Sequence, residues 1–169
     1  CKRDWKRCLA KARFKRLVGK DEAALEQVVK ENHHIIRNVF VYYSLGSSAR
    51  AQGTMDNTEW RVLLNDLSIM DPGRTSGCTL TACDQIFILT NFEEEKVSAD
   101  SKANEDRAFV RFEFIEALIR LAELRYMKNP NDEYTAYNLA DGLRNLFRRV
   151  ETTLPKEATT LERDTWRSE

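Results

Sequence analysis

The chain has 169 residues, enough for one domain with a sizeable core and an added helical arm. At 42% hydrophobic and 32% charged it is neither a disordered tail nor a membrane protein. No apolar run approaches the roughly 18 residues a membrane-spanning helix needs. Six Gly and three Pro exclude collagen, linker and low-complexity classes, and so few turn formers among so many charges point to helices.

Net charge is zero but unevenly placed. Residues 1–20 hold nine Lys or Arg and one acid, Asp4, for +8; the other 149 residues hold 18 bases and 26 acids, for −8. A basic arm on an acidic body speaks of partners rather than of fold. Four cysteines are too few and too scattered for a disulfide framework, so reduced thiols in a cytosolic protein are expected. The chain starts at Cys1 and stops at Glu169, and it reads as a piece of a longer protein; no secretory segment is visible.

In chain order, residues 3–18 predict one basic helix with Trp5, Cys8, Leu9, Ala12, Leu17 and Val18 on one side. Gly19 ends it and Asp21 is placed to cap the next. Residues 22–45 carry a long apolar stripe from Ala24 to Tyr43, softer at Asn32–His34. After a turn-rich segment, Asp56 and Glu59 have capping-box spacing for a helix to about Met70, with Trp60, Leu63, Leu64 and Leu67 inward. Asp71-Pro-Gly73 breaks it. Thr81 and Asp84 suggest a second capping box, for a helix carrying Ile86, Phe87 and Leu89. Residues 92–108 read as a surface loop. A strongly helical pattern runs from Phe109 to Tyr126 and ends at Asn129-Pro130. A last helix, about 134–151, puts Tyr137, Leu139, Leu143, Leu146, Phe147 and Val150 on an apolar face, and Pro155 closes it. In the tail, Leu161 and Trp166 suggest docking or a further helix. The expected division is an arm, 1–20, a domain, 21–155, and a tail, 156–169.

One grammar repeats: helix, polar loop, an apolar residue, a cap, helix. In an EF-hand the apolar residue forms a short β-bridge, a polar residue caps the exiting helix, and an acid follows three residues later. Met55, Asp56 and Glu59 fit those positions after Gly53; Leu80, Thr81 and Asp84 fit them in a second loop; Phe109 and Glu113 fit them in a third. Calcium needs six to eight oxygens. Counting back from each acid gives Ser48, Arg50 and Gln52; Gly73, Thr75 and Gly77; and Lys102, Asn104 and Asp106. None is a sufficient carboxylate set, and two include a cation. The spacing keeps the hand and loses the ion, so no metal or other cofactor is expected; a weak calcium sensor is the alternative.

From about Phe40 to Pro155 the order of segments is more specific. Gly53-Thr-Met55, Trp60-Arg-Val-Leu-Leu-Asn-Asp66, Leu80-Thr81-Ala-Cys-Asp84-Gln-Ile86-Phe87 and Phe112-Glu113-Phe114-Ile-Glu116-Ala117-Leu118 occur in the order and spacing of one family. The chain resembles the core domain of the tubulin polymerization-promoting protein family over about two-thirds of its length. The resemblance implies an all-α, EF-hand-like domain with very short β-bridges and degenerate calcium loops. It also implies microtubule binding and bundling, in the cytoplasm and cytoskeleton. The long loop at 92–108 and the missing glycine-containing tail depart from the family. They suit a module of a larger assembly in a ciliary or flagellar axoneme.

Lys2, Arg3, Lys6, Arg7, Lys11, Arg13, Lys15 and Arg16, with Trp5 as an anchor, are the candidate partner-binding residues. Tubulin or another acidic cytoskeletal protein is the expected partner, through complementary charge. A solvated helix, self-docking and a calmodulin-target helix are the competing readings. Nucleic acid is disfavoured because one basic helix brings no reader motif and the body is acidic. No membrane partner is expected. His33 and His34 diverge by about 100° on a helix and do not share an ion. Cys78 and Cys83 approach across a helix cap, but zinc wants two further ligands. No phosphate loop and no nucleophile–base pair can be placed, so no catalytic residue is assigned and no enzyme is expected. A non-enzymatic structural module is the leading reading, and an adaptor holding an amphipathic helix of a partner is the alternative.

Overall fold

The computed structural model describes residues 1–45, 53–71, 77–91, 108–127 and 136–160. The fold is all-α apart from one antiparallel bridge. The arm holds α1 (Lys2–Leu9) and α2 (Ala12–Val18), and a 3-10 turn, Gly19–Asp21, leads to α3 (Glu22–Glu31) and α4 (His33–Ser44). Strand β1 (Met55–Asp56) enters α5 (Asn57–Asp66), and α6 (Leu80–Asn91) follows. Strand β2 (Ala108–Phe109) enters α7 (Arg111–Ala122), which continues as a π-helical turn, Glu123–Met127. Then come α8 (Leu139–Thr153) and the short α9 (Lys156–Thr159). Among the described residues no helix is long and apolar enough to cross a membrane.

The two strands pair with each other, Met55 opposite Phe109 and Asp56 opposite Ala108. Both start helices with the same device. Asp56 accepts the Glu59 N–H at 2.9 Å while Glu59 accepts the Asp56 N–H at 2.8 Å. Glu113 accepts the Val110 N–H at 2.9 Å. Valine has no side-chain acceptor, so this second box is half made. Behind the bridge lies the aromatic centre: Phe109 meets Phe87 at 4.4 Å and Trp60 at 5.5 Å between ring centroids, and Phe114 meets Phe40 at 5.4 Å. The Trp60 indole N–H donates to the Cys83 carbonyl at 3.2 Å. Each such ring stabilises the fold by about 1.5–3 kcal/mol through burial. Helix α7 is buried almost all round, which places it in the middle with α1, α4, α6 and α8 about it.

Several expectations change. The arm is two helices, not one, because Lys11 adopts an extended backbone at φ −81° and ψ 120°. The stripe at 22–45 divides at Asn32, whose side-chain amide donates to the Val28 carbonyl at 2.8 Å. Asp21 makes no side-chain bond to the start of α3; its carboxylate accepts the Leu139 N–H at 3.2 Å and holds the first turn of α8. Leu80 is in no strand. Thr79, not Thr81, accepts the Ala82 N–H, at 3.2 Å, so the helix begins at Leu80 and leaves no residue there for a bridge. Asp84 instead pairs with Arg61, at 2.7 and 2.9 Å. The last helix starts later than expected, at the Asn138 cap, and Tyr137 is 98% exposed rather than part of the apolar face.

One continuous core runs from Trp5 in the arm to Ala158 in α9. α9 packs on α4, where the Asn38 amide donates to the Thr159 carbonyl at 2.8 Å. Leu161, Trp166 and the loop at 92–107 lie outside the described residues. So do Ser48, Arg50, Gln52, Gly73, Thr75, Lys102, Asn104 and Asp106.

Candidate interaction surface

The arm is amphipathic, and its inner side is committed to the protein's own core. Trp5, Cys8, Phe14 and Val18 are buried, and Leu9 and Leu17 pack partly beneath. The Trp5 and Phe14 rings meet edge to face at 5.6 Å. Trp5 is 2% exposed. It therefore anchors the arm to α7 and its surroundings and is not presented to a partner.

Polar contacts fix where this apolar seam sits. The Arg111 guanidinium grips Asp4, with Nε 2.9 Å from Oδ2. The Cys8 thiol donates to the Phe112 carbonyl at 3.1 Å. Arg7 lies over the Phe112 ring, 4.5 Å from its centroid. Lys11 reaches deepest. Its ammonium donates to the Thr90 carbonyl at 2.7 Å and stands 3.1 Å from Glu116 and 3.7 Å from Glu113. Glu116 is only 1% exposed and is gripped on its other oxygen by Arg120, at 2.9 Å. The buried carboxylate is charge-compensated by one cation on each side. Lys11 is thus a structural lock and leaves the candidate binding set together with Trp5.

The remaining candidates stay on the outside of the arm. Lys2, Arg3, Lys6 and Arg7 on α1, and Arg13, Lys15 and Arg16 on α2, are exposed, and Lys20 on the following turn joins them. With inner residues immobilised, the outer charges are held on a firm base, which lowers the entropy lost on meeting a partner. On α4, His33 lies near enough to the N-terminal ammonium, Arg111 and Arg37 to feel their charge. Burial first, then those positive neighbours, push His33 below the usual histidine range, with Asp4 opposing. His34 is exposed.

Sequence reasoning found the exposed bases and missed their anchors. Glu116 and Arg120 carried the missed signal: charges within the otherwise apolar Phe114–Ala122 stretch must find partners when the helix is buried. Among the described residues no group of three or more His, Cys, Asp or Glu could hold a metal ion. The Glu59 and Glu113 carboxylates each take a backbone N–H at the head of their own helix. The thiols of Cys78 and Cys83 do approach, at 3.9 Å.

No family model, no curated protein and no solved structure matches this chain.

Proposed function

We propose that this protein is a non-enzymatic, microtubule-associated structural module whose arm lays its basic outer face on the acidic surface of tubulin or a neighbouring axonemal protein. On this reading the two helix–bridge–helix units, α4–β1–α5 and α6–β2–α7, are EF-hand-like hands joined back to back by the Met55–Phe109 bridge. They belong to the tubulin polymerization-promoting protein type and do not switch on calcium. The observation that carries the reading is the set of exposed bases on α1 and α2, fixed outward by an inner face that is sealed into the core. The ordered segments from Phe40 to Pro155 supply the choice of tubulin among acidic partners. Charge-led docking is salt-sensitive.

Co-sedimentation with polymerised tubulin tests it. Pelleting at low salt that fades at high salt, and that weakens in Lys6→Glu/Arg13→Glu/Arg16→Glu, is the expected result. Absence of pelleting at low salt overturns the proposal.

A second reading has its own support. On α6, Thr81, Gln85, Ile88 and Leu89 share one outward face without a charge, and Ile88 is 61% exposed. That face suits an adaptor that binds an amphipathic helix of a cytoskeletal partner. Ile88→Lys separates the two readings: it leaves arm-mediated tubulin binding intact and removes helix docking.

A further inference from the structure

The pair Cys78 and Cys83 has no place in the interaction surface. Cys78 lies in the chain just before α6, and Cys83 lies in that helix's first turns. Both are fully buried and unbridged, and their sulfurs stand 3.9 Å apart in thiol contact. A disulfide needs about 2.05 Å between sulfurs. Closing the bond requires side-chain rotation combined with a shift of the segment that carries Cys78.

Surrounding groups give the two sulfurs different roles. The contact with the Cys83 sulfur, and with it the guanidinium charges of Arg125 and Arg149, favour the thiolate of Cys78, while burial and the Asp71 charge oppose them. Cys83 is pushed the other way, by its bond to Cys78 and by burial. The positive end of α6 lies beside both. Cys8 supplies a contrast within the same molecule. Burial and the negative charges of Glu116 and Asp4 hold it in the thiol form, and it donates to the Phe112 carbonyl. Beside the pair a groove of about 390 Å³ opens, with Met70, Asp71, Thr79 and Leu80 among its walls. Thr79 and Leu80 of its wall lie between Cys78 and Cys83 in the chain.

We propose that Cys78 and Cys83 are a peroxide-reactive thiol pair that closes an intrachain disulfide. The Cys78 thiolate attacks one oxygen of hydrogen peroxide. The O–O bond breaks, the leaving hydroxide takes a proton to become water, and Cys78 becomes a sulfenic acid. The Cys83 sulfur then attacks the Cys78 sulfur, forming the S–S bond and breaking the S–O bond. The departing hydroxide takes the Cys83 proton as a second water. Two thiols are oxidised, and one peroxide is reduced to two waters. The bond ties the segment before α6 to that helix and so fixes Thr79 and Leu80, one wall of the groove.

The test uses the full chain carrying Cys1→Ser, reduced, desalted and exposed to graded hydrogen peroxide. Differential alkylation and peptide mass mapping then locate every sulfur. Loss of Cys78 and Cys83 together, joined in one peptide pair, at peroxide levels that leave Cys8 alkylatable is the expected result. In Cys83→Ser, dimedone traps a sulfenic acid on Cys78. The mapping on the unsubstituted pair needs no core variant to fold. The proposal is overturned if Cys8 is lost first, if Cys78 and Cys83 stay alkylatable throughout, or if the only disulfides link separate chains.

Discussion

Two junctions meet on α7, and they are built from different physics. Around the Met55–Phe109 bridge the contact is dry, made of Trp60, Phe87, Phe109 and Phe114 rings with no ion pair among them. At the arm the contact adds charge to the apolar seam: Asp4 to Arg111, Lys11 to Glu116 and Glu113, and Arg120 behind Glu116. Apolar burial holds a junction with little regard to orientation. Buried ion pairs add little net stability against an apolar alternative, but a single broken partner is costly. The dry junction therefore sets how stable the fold is, and the charged one sets where the arm lies and which way its outer bases face.

The largest break in this contrast comes from Trp60→Ala. Removing a fully buried ring that also donates to the Cys83 carbonyl lowers unfolding stability by about 3–5 kcal/mol, read by denaturant titration. Lys11→Met acts on the other junction. It removes one cation from Glu116 and orphans the Thr90 carbonyl, while Arg120 remains. The loss is about 2–3 kcal/mol, smaller than for a wholly unpaired buried charge. Hydrogen exchange should then rise in α1 and α2 before it rises at the bridge; equal rises in both would remove the distinction between the junctions.

Two gentler changes sharpen the comparison. Ser68 sits just past α5 at φ +48°, where a glycine is comfortable and a side chain is strained. Ser68→Gly should raise stability by about 0.5–1 kcal/mol without altering the arm. His33 tests the arm side by pH. Its affinity for a proton is lowered in the folded state, so the unfolded chain binds the proton more tightly. The penalty is absent well above the unfolded value of about 6.5 and grows as pH falls through it. His33→Gln should flatten that part of the stability profile between about pH 7 and 5; an unchanged slope would mean that burial and the positive neighbours do not act on this ring.

Local signals were readable where a residue's role is decided within one turn. Asp56 with Glu59 and the Gly19 stop each depend on neighbours a few residues away, and both stand as expected. Thr81 failed because another hydroxyl two residues earlier, Thr79, competes for the same end of the helix, and spacing alone does not rank them. Asp21 failed because its best donor, the Leu139 N–H, is 118 residues away. The candidate surface divided in the same manner. Alternation of bases with Trp5, Cys8 and Leu17 marked an amphipathic arm, but Phe14 was missed and what the apolar side would cover was invisible.

Composition and periodicity were enough to determine an all-α fold, the basic outer stripe, and two of the three bridge residues, because these follow from side-chain spacing and backbone preference near each residue. Only the folded chain decided that Trp5 and Lys11 face inward, that Leu80 joins a helix, and that Asp21 holds α8 instead of capping α3. Those outcomes depend on which distant group offers the lowest-energy partner once α7 is buried, and that choice is made in three dimensions among residues the sequence holds far apart.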